Sequence, residues 1–244
     1  MRRTPGNRPG YAQGFTIVEM SVVLVVIALI IGAVSVGRDV YRSAVAERIG
    51  SEFVQGWMIA YDRYVQQSGA VPGDNPAAPT GRINGAKSAG GAELCDGNSD
   101  PALRNAMLTR GISLPQGRAE GMESRYVYQD SNGNPQELQV CFDTVNNWAE
   151  PEAGGGYRGR MRNVMVLKNL TPELAQQLDA RIDGRVDARF GRLRESTQYS
   201  NTAAVGSPPS ANPWSADDMD NIRGGTARPD DQVAVVTAYL KMNQ

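Results

Sequence analysis

The sequence predicts an α+β protein in which a long N-terminal helix, membrane-spanning and then amphipathic, packs on a small antiparallel sheet in a glycine-rich head. Three observations carry this expectation. Residues 15–36 are apolar apart from the single charge of Glu19, and the next charge is Arg38. Apolar residues then recur at Tyr41, Val45, Ile49, Phe53, Trp57, Tyr61 and Tyr64, spacings of four and then three that lie along one helical face. Past Ser68 the composition turns to Gly, Pro, Asn and Asp, interrupted by short alternating runs of the strand kind. The chain thus divides into a leader (1–14), a helix (15–68, of which 15–36 spans a bilayer and 38–68 is amphipathic) and a head (69–244).

The N-terminal segment fixes the orientation. Residues 1–14 carry Arg2, Arg3 and Arg8 and no acid, so the N-terminus stays cytoplasmic and the rest of the chain is exported. As a helix, residues 15–36 rise roughly 33 Å, enough for a hydrocarbon core of roughly 30 Å. A carboxylate inside such a segment costs a few kcal/mol, which marks Glu19 as a functional residue in need of a partner. An ordinary secretory signal is cut after its apolar stretch, where Ala33-Val34-Ser35 offers only a poor site. The small residue Gly14 lies before the stretch instead.

The run Gly14-Phe15-Thr16-Ile17-Val18-Glu19-Met20, followed by apolar residues, resembles the class III signal of type IV prepilins and pseudopilins. The resemblance implies cleavage between Gly14 and Phe15 by a prepilin peptidase and N-methylation of the new amine on Phe15. It places Glu19 at the family's glutamate, whose proposed partner is the terminal amine of a neighbouring subunit. Paired in a filament core, the two charges would neutralise each other where neither is hydrated. The implied partners are other pilin subunits, the peptidase, an inner-membrane assembly platform and, before assembly, the bacterial inner membrane itself. The implied destination is a periplasmic or cell-surface filament. AYDRY…AVPGD (60–74) and LTPELAQQLDARIDG (170–184) resemble further patches of prepilin-type subunits. Many major pilins carry a helix-breaking proline where this chain has Val36, and the head is large, so a minor or accessory pilin is expected. The alternatives are a type II secretion pseudopilin and, in another class, a monomeric signal-anchored periplasmic binding domain that keeps its leader.

The remaining elements follow in order. Gly32, Gly37, Gly50 and Gly56 fall inside the helix and each weakens it by roughly 1 kcal/mol relative to Ala. Gly69 is a fitting C-cap and Pro72 prevents resumption. Residues 69–101 read as a long surface loop and 102–111 as a short helix. RYVYQ (125–129) and ELQVCF (137–142) alternate as a strand pair around Asn132-Gly133, and 163–169 is a further strand. Thr171 and Pro172 open a helix that ends near Gly184. Residues 200–230 read as loop, and 233–242 as a closing strand.

Cys95 and Cys141 are the only cysteines. In an exported head they face an oxidising compartment, and a bridge between them would contribute roughly 4 kcal/mol. Metal ligation is the alternative, but two cysteines without a histidine make a poor zinc site. Asp96, Asn98 and Asp100 place oxygens at alternate residues, as do Asp130, Asn132 and Asn134, the first half of a calcium-loop pattern. Neither run completes the pattern, and tight turns account for both; a structural calcium at the Asp96 loop is the one cofactor the sequence leaves open. With 25 Lys+Arg and 26 Asp+Glu, net charge gives no general case for nucleic acid. Two local basic runs exist, Arg158 to Lys168 and Arg181 to Arg194; acids interleave the second, which reads as a solvated mixed-charge helix. No histidine and no nucleophile motif are present, so no catalytic residue is expected. Glu150 and Glu152 read as solvated loop charges.

Overall fold

The computed structural model describes residues 14–85, 93–206, 210–215 and 232–243. The leader arginines and parts of the stretches 69–101 and 200–230 lie outside the described residues. The chain forms two compact units, 1–43 and 44–244. The first is helical from Ile17, where α1 (Ile17–Arg48) begins. Its described side chains from Phe15 to Ser35 are all exposed. Val and Ile dominate here, residues that lose rotamer freedom in a helix. Inside hydrocarbon a backbone would have to satisfy its polar groups internally, which would outweigh that preference.

In the second unit the helical course continues through a π-helical turn, Ile49–Val54, into α2 (Gln55–Ser68). The π turn departs from the regular helix expected there, and the spacing of the apolar residues explains it. In a regular α-helix a strict four-residue step overshoots the turn by about 40°, so the stripe from Val45 to Tyr61 would drift off its face. One wider turn brings it back. Ile49, Phe53, Trp57 and Tyr61 are consequently all fully buried. Each contributes roughly 2–3 kcal/mol by leaving water. Gly69, left-handed at φ 69°, ends α2 as expected. Gly56 has a reason beyond propensity: a Cβ there would lie 2.7 Å from Cβ of Pro115.

The sheet is antiparallel throughout, in the order β1 (Arg125–Gln129), β2 (Pro135–Pro151), β3 (Tyr157–Leu170), β5 (Val236–Lys241), β4 (Leu193–Glu195). Leu138, Val140 and Phe142 on β2, with Met165 and Leu167 on β3, face the helical layer. There Phe53 meets Tyr126 at 5.3 Å between ring centroids, and Tyr61 meets Phe142 at 5.2 Å. Trp214 is buried in the same core, inside a stretch expected to be plain loop. Cys141, Val145, Trp148, Val164 and Val166 form a second apolar cluster on the opposite face, with Cys95, Tyr199 and Tyr239 against it. Two short helices complete the head, α3 (Ala102–Leu108) and α4 (Pro172–Asp183). Thr171 caps α4 by accepting from Leu174 N at 3.3 Å. This is the α+β, pilin-like layout that the sequence predicts.

Three expectations need correction. The central hairpin is far longer than the pattern shows, because a bulge between Val145 and Trp148 resets the alternation of β2. Glu150 is therefore a strand residue. The loop 69–85 is pinned to the sheet: Ile83 N donates to Thr144 Oγ1 at 2.7 Å and Asn163 Nδ2 donates to Gly81 O at 3.0 Å, while Asp74 closes the loop on itself by accepting from the N–H groups of Asn75, Thr80 and Gly81. The second basic run is no solvated helix, since α4 stops at Asp183 and Asp179, Asp187, Arg189 and Arg194 are buried.

Candidate functional site

The N-terminal segment presents a carboxylate at the start of an uncharged helix. Thr16 precedes the first helical residue, and its hydroxyl accepts from Glu19 N at 3.2 Å. Glu19 answers in kind: its Oε2 accepts from Thr16 N and from Thr16 Oγ1, each at 2.8 Å. This is a capping box, in which residues three apart satisfy N–H groups that a helix start leaves without partners. The T-x-x-E spacing announces it in the sequence, where residue types taken singly do not. Gly14 and Phe15 stand immediately before the box in non-helical backbone, both exposed. From Glu19 to Arg38 no charged side chain interrupts the run. The helix is long and apolar enough to cross a membrane.

In the head, the disulfide Cys95–Cys141 is formed, with a sequence separation of 46 residues. It ties the loop after α2 to the middle of β2. Glu93 lies beside both sulfurs, but bonded sulfurs offer no thiolate to a metal. In the Asp96 loop two side-chain oxygens accept from protein donors. Asp96 Oδ1 accepts from Arg104 N at 2.9 Å, in the first turn of α3, while Asn98 Oδ1 accepts from the Arg125 guanidinium at 3.2 Å. Asp100 contributes its carbonyl to Gly97 N at 2.8 Å. In DSNGN the side chain of Asp130 holds the turn, with Oδ1 accepting from the N–H groups of Asn132 and Asn134. Its Oδ2 accepts from Val233 N at 3.0 Å. Turn hydrogen bonds thus occupy the Asp130 carboxylate of the second motif.

The basic residues of β3 are paired. Glu150 accepts from Arg162 at 2.6 and 2.8 Å, lies 3.6 Å from Arg160 and accepts from Lys241 at 3.3 Å. The paired guanidinium of Arg162 holds the Glu150 carboxyl below its ordinary value, with Lys241 adding to the effect. Arg158 pairs with Glu152 at 3.5 Å, and Lys168 pairs with Glu93. Behind them the buried Arg194 guanidinium sits 4.3 Å over Trp148 and donates to Ala149 O at 2.7 Å. Burial pushes its pKa down to about 10. These cations join strands to one another.

Comparison of the chain with protein-family models, with curated protein sequences and with solved structures finds no match in any of the three.

Proposed function

We propose that this chain is a structural subunit of a type IV pilus-like filament, of the minor or accessory kind. In this reading it is inserted in a bacterial inner membrane with its N-terminus inside and its head outside. A prepilin peptidase cuts it between Gly14 and Phe15, the amine of Phe15 is methylated, and the helix then polymerises with those of other subunits. The observation that carries the reading is Glu19, the sole charge between Phe15 and Arg38, at the head of an exposed apolar helix with a disulfide-bonded head following. An uncompensated carboxylate at that depth is costly, and the amine of an adjacent subunit is a partner of opposite charge. Assembly of this kind needs no catalytic group in the chain.

Intact-mass and N-terminal peptide spectrometry on protein from its native host tests the proposal. The expected species begins at Phe15 with one added methyl group. A chain still beginning at Met1, in cells with an active prepilin peptidase, would refute it. The capping box favours a second reading, because Thr16 gives Glu19 a partner within its own chain. In that reading the protein is a monomeric anchored binding domain, and the retained leader is its mark. A type II secretion pseudopilin shares the processed N-terminus and differs in the machine served. Loss of secretion rather than of surface filaments on deletion would distinguish it.

A further inference from the structure

Helix α4 carries two acids one turn apart near its end, Asp179 and Asp183. Asp179 is fully buried, with 0% of its surface exposed. Its Oδ2 accepts from Asp187 N at 2.7 Å and from the Trp214 indole N–H at 2.9 Å. Its Oδ1 is buried with no donor among the described residues. The Asp183 carboxyl lies within hydrogen-bonding reach. That group is also fixed, since its Oδ2 accepts from Arg192 N at 2.8 Å and Leu193 N at 2.9 Å. Gly191, at φ 103°, allows the approach: a Cβ there would sit 2.3 Å from Asp183 Oδ2. Neither carboxyl can withdraw without breaking two hydrogen bonds.

Two ionised carboxylates held in contact, one buried and the other half-buried, repel, whereas one proton between them makes a hydrogen bond. That proton would also give Asp179 Oδ1 the partner it lacks. We propose that Asp179 and Asp183 share one proton, and that this proton is a pH-sensitive latch fastening residues 185–193 and Trp214 to the end of α4. The other charges nearby among the described residues are committed elsewhere. Asp187 pairs with Arg185 at 2.7 Å and accepts from the N–H groups of Arg189 and Phe190. Arg181 pairs with Glu47, and the Arg192 guanidinium donates to Lys241 O at 3.3 Å. The buried Arg194 guanidinium donates to Ala149 O at 2.7 Å.

Burial raises the Asp179 carboxyl from 3.8 to about 7, and the charge of Asp183 adds to the rise. The closed latch therefore binds more protons than the open one between these values. Its stabilisation is complete below about pH 4, declines as pH rises and is gone above about 7. Across that window the opening equilibrium rises on the order of tenfold per pH unit.

Amide hydrogen exchange on the full chain in detergent micelles, corrected for intrinsic rates, tests the latch at pH 5 and pH 8. Protection of residues 187–193 is expected to fall at least tenfold between the two, while residues 164–167 of β3 keep theirs. Asp179→Asn places an amide where the protonated acid donates, and Asp183→Asn gives Asp179 a donor without a proton; either should flatten the dependence. Equal protection of the wild type at both pH values would overturn the proposal, whether or not the variants fold. So would a folded Asp179→Asn chain that keeps the wild-type dependence.

Discussion

Gly56→Ala sets two effects of known sign against each other. Replacing a glycine inside a helix by alanine stabilises it by roughly 1 kcal/mol, and the sequence taken alone predicts that gain. In the folded head, however, the new Cβ would lie 2.7 Å from Cβ of Pro115, 3.4 Å from its Cγ and 3.9 Å from its Cα. The first contact falls more than 1 Å short of the roughly 4 Å optimum for two carbons. The proline ring cannot rotate away, and the loop that carries it is held on both sides. Ile112 N donates to Met107 O at 3.2 Å before it, and Arg118 N donates to Arg125 O at 2.6 Å after it. Overpacking of this kind costs roughly 1–3 kcal/mol, so the clash wins. A net loss of about 1 kcal/mol lowers Tm by about 2–4 °C for a domain of this size. Calorimetry of the full chain in micelles measures it, and a cycle with Pro115→Gly isolates the contact, with an expected coupling of at least about 1 kcal/mol. A higher Tm for Gly56→Ala, or zero coupling, would show that the Pro115 loop yields freely and that the packing argument is wrong.

Further outcomes are expected from other parts of the chain. Replacing both Cys95 and Cys141 by serine should lower stability by about 4 kcal/mol, read as an earlier denaturant midpoint that reductant no longer shifts. Thr16→Val removes the hydroxyl of the capping box and should cost about 1 kcal/mol of helix start; faster amide exchange at residues 17–19 in micelles is its signature, and unchanged rates would deny the cap. Tyr128 donates to Asn169 O at 2.8 Å and accepts from Thr171 N at 2.9 Å, and burial pushes its pKa up to about 12. Its ionisation therefore favours unfolding, so stability should fall as pH rises from about 10 to 12, and Tyr128→Phe should remove that part of the fall.

What the sequence discloses and what it hides have physical causes. The helix, its Gly69 cap, the Thr171 cap and the pair 125–129 with 137–142 are legible because each rests on a local period or a local side chain. The outer half of the central hairpin is hidden by the bulge between Val145 and Trp148, which shifts the alternation by one residue, and by the glycines at its tip. Trp214 sits among Pro, Ser and Asn, and only tertiary contact shows it to be core. The burial of Asp179 is half-legible: it falls four residues after Ala175 and one after Leu178, both buried, on the apolar side of α4. Polarity argues for solvent and position argues against it, and only the indole of Trp214 decides. Glu19 is legible twice over, as a charge in an apolar run and as the last residue of T-x-x-E.

The covalent tie from Cys95 to β2 also governs how the head responds to tension. A pull transmitted from the end of α2 reaches Cys95 along the loop and crosses directly to Cys141. The 46-residue interval between them is out of the load path, and with it α3, β1 and the first turn of the sheet. At about 3.4 Å per extended residue, roughly 150 Å of chain is thereby withheld from stretching. Force arrives instead on the centre of β2, which β3 grips along most of its length. A chain loaded this way would resist extension by shearing a long hairpin, and it would keep the fold of the bypassed segment even as the sheet began to give.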